Sequence, residues 1–179
     1  VVDEGVMHSH EDLAANMWVN KNEIQDNSID DDGNGFIDDV YGVNCVRLDG
    51  NIKWDNDNDS GHGTHVAGII SAVNDNGKGI CGIAGGDGTN GGVAIMSIQI
   101  FYGNGSASNR NVAKGMQYAA DNGAHILQNS WGYKSYYADK TFPANDKSYK
   151  TYCRLEAEAI DYFIANGGDE SGPLQGGIV

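Results

Sequence analysis

Basic side chains and cysteine are scarce in this chain, and each scarcity excludes a class of partner or site. Only 11 Lys and Arg side chains oppose 25 Asp and Glu side chains, and the formal net charge of −14 argues against nucleic acid or an anionic membrane as a partner. Three cysteines allow at most one disulfide within the chain, and none has the C-x-x-C spacing of a metal site. We expect all three to be small buried residues. No apolar run approaches the length of a membrane span, so none is expected in this chain.

The residues that are present predict one α/β domain. The 179 residues are 40% hydrophobic, which is enough for one sizeable core. An apolar run at 93–101 predicts a buried strand, an amphipathic pattern at 111–120 predicts a helix, and 126–132 predicts the next strand. This order requires crossover connections, so we expect a doubly wound, mostly parallel sheet with helices on both faces. A further strand is expected at 40–46 and a further helix at 154–165.

The stretch from Asp59 to Ile70 joins a polar loop to an apolar helical pattern, with His62 at the junction. Gly61 and Gly63 leave room on either side of the imidazole for another part of the chain to approach it. Thr64 is placed to cap the first turn of the helix. Because an imidazole titrates near neutral pH, a histidine at this point suits proton transfer.

This stretch, D-S-G-H-G-T-H-V-A-G-I-I, closely resembles the histidine motif of the subtilisin-like serine proteases, the subtilases. The resemblance implies that His62 is the general base of a catalytic triad and that His65, one turn later, is a structural residue. It also implies a subtilisin-like sheet that is incomplete in this chain.

The amino-terminal segment carries a second resemblance to the same family. D-E-G-V at 3–6, followed by H-E-D-L at 10–13, resembles the aspartate motif of the subtilases, which implies that Asp3 orients the base. The two β-branched residues before Asp3 indicate the end of a strand whose start is missing. Glu4 stands where the family has a hydroxyl residue. Since strand side chains alternate, we expect Glu4 to point away from Asp3 and to affect orientation rather than charge.

Residues 26–39 form an acidic loop with six aspartates in fourteen positions. So much negative charge is hard to tolerate in a folded loop unless a cation lies among the carboxylates. The spacing matches the first part of an EF-hand loop and predicts a structural Ca²⁺ bound by Asp30, Asp32, Asn34 and Asp38. The twelfth position holds Tyr41 instead of glutamate, so a complete EF-hand is excluded. A solvated acidic loop is the alternative.

Two further segments resemble the walls of the subtilase substrate cleft. N-S-W-G at 129–132 is similar to the strand that pairs with an extended polypeptide, and G-N-G-S-A at 103–107 resembles the opposite wall. The resemblance implies that the polypeptide is bound by Gly105, Ser130, Trp131 and Gly132. An ordinary edge strand and loop are the alternative. A polar, tyrosine-rich insertion is expected at 134–150.

The family's nucleophile motif, G-T-S-x-A, is absent from residues 1–179. The resemblance therefore covers the front portion of one catalytic domain. We expect the full-length protein to be a secreted or cell-surface serine endopeptidase that also binds its own propeptide, and this chain alone to be inactive. Two alternatives stay open. One is a calcium-binding scaffold or pseudoprotease without a nucleophile, and the other is a zinc hydrolase built from His8, His10, His62 and His65.

Overall fold

The computed structural model describes residues 1–55, 60–87, 90–102, 106–132, 153–168 and 176–179. Within these ranges the chain divides into two compact units, Val1–Ala107 and Ser108–Val179. The polar insertion expected at 134–150 lies outside the described residues. None of the helices in the described ranges is long and apolar enough to cross a membrane.

The first unit is built on a parallel sheet of three short strands in the order β1-β3-β2. The strands are β1 (Val2–Asp3), β2 (Gly42–Asn44) and β3 (Ser97–Gln99). In register, Val2 and Val43 both lie opposite Ile98 on the central strand. All residues of the three strands are buried. The parallel sheet confirms an α/β fold of the predicted kind.

The strands are shorter than the apolar runs predicted. Only three of the nine residues at 93–101 belong to β3, because the residues before it pair with irregular backbone. The N–H of Ile95 donates to the carbonyl of Asn16 at 2.8 Å, and its carbonyl accepts from the N–H of Trp18 at 2.9 Å. The apolar run therefore identified buried backbone from Ile95 to Ile100 but not at Val93, which is 48% exposed. The pairing partner of each segment determined where regular strand begins and ends.

Helix α1, His62–Ser71, follows the loop that the sequence predicted, after a short 3₁₀ turn at Ala14–Asn16 earlier in the unit. Its Ala67 is fully buried in an apolar cluster with Val6, Leu13, Met17 and Ile95. The helix is less buried than its apolar pattern suggested, since Ile69 is 45% exposed.

The second unit is built on two helices, α2 (Asn109–Asp121) and α3 (Arg154–Asn166), which pack against each other. Ser108 caps α2, because its hydroxyl accepts a hydrogen bond from the N–H of Asn111 at 3.1 Å. Met116 and Phe163 are among the most buried side chains of this unit. Both helices extend slightly beyond the predicted ranges.

The strand predicted at 126–132 is not a continuous strand in the described part of this unit. Ile126 forms an isolated parallel bridge with Ile178, supported by a hydrogen bond from the N–H of Leu127 to the carbonyl of Ile178 at 2.8 Å. The expectation for the cysteines also needs correction. Cys45 and Cys153 are buried, whereas Cys81 is exposed, because it lies in a polar loop after α1.

Candidate active site

The end of β1 and the start of α1 bring Asp3 and His62 together. His62 Nδ1 lies 2.9 Å from Oδ2 and 3.0 Å from Oδ1 of Asp3. The carboxylate is buried, whereas the His62 side chain is 46% exposed. One ring nitrogen is thus held by a buried acid, and the other, Nε2, remains to exchange a proton with a reacting group. This geometry suits general acid–base chemistry.

Glycine 63 permits this close approach of α1 to the end of β1. A Cβ atom at Gly63 would overlap the carbonyl oxygen of Gly5 and lie 3.1 Å from Cβ of Asp3. Gly61 is required for a different reason than the sequence suggested. No atom of the described residues lies within 4 Å of the position of a Cβ at Gly61, but its φ of 69° lies in the left-handed region that favours glycine.

The prediction that Thr64 caps α1 is wrong. The helix already begins at His62, and its N-cap residue, Gly61, makes no side-chain capping bond. The hydroxyl of Thr64 instead accepts a hydrogen bond from the N–H of Met7 at 2.9 Å. Thr64 therefore connects the helix to the segment after β1, which also fixes the direction in which the chain leaves Asp3.

The surroundings of His62 raise the pKa of its imidazole above the ordinary value. The hydrogen bond with Asp3 is the largest cause, partial burial opposes it, and the negative charges of Asp3 and Glu4 add to the increase. The protonated ring is therefore stabilised by these two acids. A base that must carry a positive charge during catalysis gains from this arrangement.

The contacts and the charge of Glu4 differ from the prediction. Its side chain is only 6% exposed, and Oε1 accepts hydrogen bonds from the hydroxyl of Ser60 at 2.9 Å and from the backbone N–H of His62. Its charge also helps to raise the pKa of His62, so the expectation that charge is unaffected is wrong. β1 ends at Asp3, and the alternation of a strand does not extend to the residue that follows it.

A second group of acids lies in the acidic loop. Within the described ranges, one cluster of three possible metal ligands is present, with ligand atoms within 4.8 Å of one another: Glu23, Asp32 and Asp39. Of the four ligands predicted from the sequence, only Asp32 belongs to it. The carboxylate of Asp30 accepts from the N–H groups of Asn34 and Gly35. The carboxylate of Asp38 accepts from the N–H groups of Asn27 and Ser28. The amide nitrogen Nδ2 of Asn34 donates to two members of the cluster, Asp32 and Asp39.

Glu23 offers the cluster a buried carboxylate oxygen. The side chain is 9% exposed, and its Oε1 accepts from the N–H groups of Asp31 and Asp32 at 2.9 and 3.1 Å. Its Oε2 is buried and accepts no hydrogen bond from the part of the chain that the structure describes. Burial, with the nearby charges of Asp39 and Asp32, raises the pKa of Glu23. A buried carboxylate oxygen beside two other acids fits an oxygen-seeking cation.

The sequence pattern could not identify Glu23 or Asp39 as members of this cluster. Glu23 lies before the D-x-D-x-N-G string, and Asp39 lies one position beyond the ninth loop position. The only signal was the density of carboxylates between 26 and 39. The backbone turns that bring Glu23 back to Asp32 are not encoded by a spacing rule.

The predicted substrate-binding residues can be located only in part. Ser130 and Gly132 are exposed and Trp131 is half-buried, all in the second unit. The hydroxyl of Ser130 accepts from Gln128 Nε2 at 2.6 Å. Gly105 lies outside the described residues.

Two of the four histidines of the zinc alternative make contacts with groups other than histidine. The ring of His8 stacks on Tyr41 with centroids 4.4 Å apart, and His10 Nδ1 accepts from the N–H of Asp12 at 3.1 Å. No group of three metal ligands in the described ranges contains a histidine. The structure therefore gives the zinc hydrolase no support.

Comparisons with known proteins agree with the two motifs. A family model described as "Subtilase family" matches residues 1–175. "Subtilisin-like protease 1" of Plasmodium berghei (strain Anka) is 49% identical over 84 residues, which are 46% of this chain and 13% of that protein. "Halolysin" of Haloferax mediterranei is 33% identical over 132 residues, 74% of this chain and 20% of that protein. "Halolysin-like extracellular serine protease Nep" of Natrialba magadii is 32% identical over 132 residues, with the same two shares of 74% and 20%. The match thus spans a fifth or less of each relative's length.

Proposed function

Since the chain belongs to the subtilase family, we propose that the full-length protein is a serine endopeptidase in which Asp3 and His62 are two of the three triad residues. The contact between His62 Nδ1 and the buried Asp3 carboxylate carries this proposal. His62 takes the proton of the nucleophilic serine and later gives it to the leaving amine, while Asp3 holds the ring and stabilises its charged form. The serine comes from outside residues 1–179, since no G-T-S-x-A motif is present within them.

The proposed substrate is an extended polypeptide. The exposure of Ser130 and Gly132 supports a role for this segment in accepting a substrate backbone, together with Trp131 and Gly105. The two compact units belong, in this proposal, to one catalytic domain, and a single family match over 1–175 supports that.

We propose a structural Ca²⁺ for the acidic cluster. Glu23, Asp32 and Asp39 would hold it, and the buried Oε2 of Glu23 supports this ligand set. Carboxylate oxygens are hard ligands that suit Ca²⁺, which would neutralise the charge of the loop when bound. The set predicted from the sequence, Asp30, Asp32, Asn34 and Asp38, is the competing assignment.

The proposed location is secreted or cell-surface. The name of the Natrialba magadii relative describes that protein as extracellular, which supports the same location here. The strongly acidic composition is compatible with an extracellular, cation-binding protein. A propeptide is proposed as a second partner of the same cleft.

Labelling of the full-length protein by a serine-directed fluorophosphonate, together with hydrolysis of an unfolded polypeptide, tests the proposed function. Asp3→Asn keeps the shape of the side chain but favours the wrong imidazole tautomer, and we expect kcat to fall about 10⁴-fold. Asp75→Asn is the matched control, because Asp75 is exposed and asparagine tolerates its positive φ of 59°. Its activity should equal that of the wild type.

Two results would contradict the proposed protease activity. A full-length protein that binds Ca²⁺ but is neither labelled nor active would be the non-catalytic scaffold or pseudoprotease. Equal activity of Asp3→Asn and Asp75→Asn would remove Asp3 from the triad. Residues 1–179 alone should not be labelled, because they lack the nucleophile motif.

A further inference from the structure

The backbone of His62 has its own acidic partner. His62 is the first residue of α1, so its N–H is one of the donors that the helix itself cannot satisfy. The N-cap residue, Gly61, has no side chain with which to satisfy it. Glu4 Oε1 accepts this hydrogen bond from a position directly after β1, 58 residues away in the sequence.

Two consecutive acids therefore hold two different parts of His62. Asp3 contacts Nδ1 of the ring, and Glu4 contacts the backbone N–H. Ser60 donates its hydroxyl to the same Glu4 oxygen at 2.9 Å, which fixes the carboxylate beside the loop that leads into the helix. An anchored ring and an anchored backbone leave little freedom for the imidazole to move relative to β1.

The charge of Glu4 has a second effect. A carboxylate at the N-terminus of a helix interacts favourably with the positive end of the helix dipole. The same negative charge favours the protonated imidazole of His62. A hydroxyl residue at this position could accept a hydrogen bond but would lack this charge.

From this geometry we propose that Glu4 is a positioning residue for the base: it caps α1 in place of the N-cap residue and fixes the backbone of His62 while Asp3 fixes its ring. The proposal rests on the proposed function of the Asp3–His62 pair. Glu4 acts only through His62 and contacts no reacting atom.

Two substitutions in the full-length protein separate the hydrogen bond from the charge. Glu4→Gln retains an acceptor oxygen and removes the charge, whereas Glu4→Leu removes both. We expect Glu4→Gln to keep the kcat plateau at high pH within about tenfold of the wild type and to move the lower pH midpoint of kcat/KM downward. Glu4→Leu should lose about 10- to 100-fold in the kcat plateau, because small displacements of a catalytic group are costly.

Glu11→Gln is the matched control, since Glu11 is an exposed acid paired with Lys78 on the surface. It should leave both the plateau and the midpoint unchanged. Thermal unfolding of each variant shows whether it is folded. NMR titration of the His62 ring, assigned with a His62→Gln variant, follows the pKa without requiring activity, and the pKa should fall in Glu4→Gln.

A folded Glu4→Leu variant that keeps the wild-type plateau would overturn the proposal, because Glu4 would then be at most a structural cap of α1. An unchanged His62 titration in a folded Glu4→Gln variant would refute the effect of the Glu4 charge and leave the hydrogen bond as its only contact with the base. If the wild-type protein cleaves nothing while the titration still shifts in Glu4→Gln, the proposed function fails and the coupling of Glu4 to His62 stands.

Discussion

Replacing Glu23 by glutamine should raise thermal stability without Ca²⁺ and reduce the stabilisation that Ca²⁺ provides. In Glu23→Gln the retained Oε1 can still accept from the N–H groups of Asp31 and Asp32. The new amide nitrogen occupies the place of Oε2, which is buried and accepts no hydrogen bond from the described residues. One oxygen of the Glu23 carboxylate lies within 4.8 Å of oxygens of Asp32 and Asp39. The substitution thereby replaces a hydrogen-bond acceptor near two acidic side chains with a hydrogen-bond donor.

Without Ca²⁺, the substitution removes a buried, unsatisfied acceptor. Such a group costs about 1 to 3 kcal/mol, and each kcal/mol corresponds to about 2 to 4 °C in Tm for a domain of this size. We therefore expect Glu23→Gln to melt roughly 2 to 12 °C higher than the wild type in EDTA. With Ca²⁺ at about 100 times its Kd, the wild type gains about 2.7 kcal/mol. Loss of one charged ligand should weaken binding at least about tenfold and remove about 1.4 kcal/mol of that gain.

The effect of Glu23→Gln on stability also depends on pH. The pKa of Glu23 is raised in the folded protein, so the folded state favours the protonated acid. The stability that this proton provides is complete at pH values below the unfolded pKa and is lost as the pH rises through the folded one. The advantage of Glu23→Gln in EDTA should therefore be present at neutral pH and disappear in acid.

Differential scanning calorimetry of the full-length protein in EDTA and in Ca²⁺ measures both effects. Asp30→Asn is the matched control, because Asp30 belongs only to the ligand set predicted from the sequence, and its carboxylate accepts backbone N–H groups. If Asp30→Asn abolishes the response to Ca²⁺ while Glu23→Gln responds like the wild type, the cluster is the wrong site. A wild type with no response to Ca²⁺ would refute both assignments.

Two further predictions concern the Asp3–His62 pair. The pKa of His62 is raised and a general base must be unprotonated, so kcat/KM should rise with pH to a midpoint above the ordinary pKa of an imidazole. This midpoint should fall in Asp3→Asn, and a midpoint that does not move would contradict the contact with Asp3. Gly63→Ala places a methyl group against the carbonyl of Gly5, so α1 must shift, and we expect a loss of about 1 to 3 kcal/mol in stability together with most of the activity. Gly68→Ala is the control, because among the described residues the nearest atom to its added methyl group is Ile80 Cδ1 at 3.7 Å. Equal melting temperatures for the two variants would refute the steric argument.

The sequence alone determined the parts of this protein that depend on local pattern. Apolar runs between turns predicted buried backbone and a parallel sheet, because the spacing of apolar residues within a segment indicates which of its faces are buried. Two short motifs selected Asp3 and His62 out of 25 acids and five histidines, through their resemblance to the motifs of the subtilases. The glycines beside His62 agree with this choice, because they leave room for another segment to approach the ring.

Only the tertiary structure decided which groups from distant segments meet. The sequence assigned Thr64 to the helix end, but its hydroxyl bonds to Met7. It placed Glu4 away from the site, although the Glu4 side chain reaches the first N–H of α1. It also could not include Glu23 with Asp32 and Asp39. A hydrogen bond depends on where two backbones lie in space, and that position is set by the packing of the whole core, which no spacing within one segment encodes.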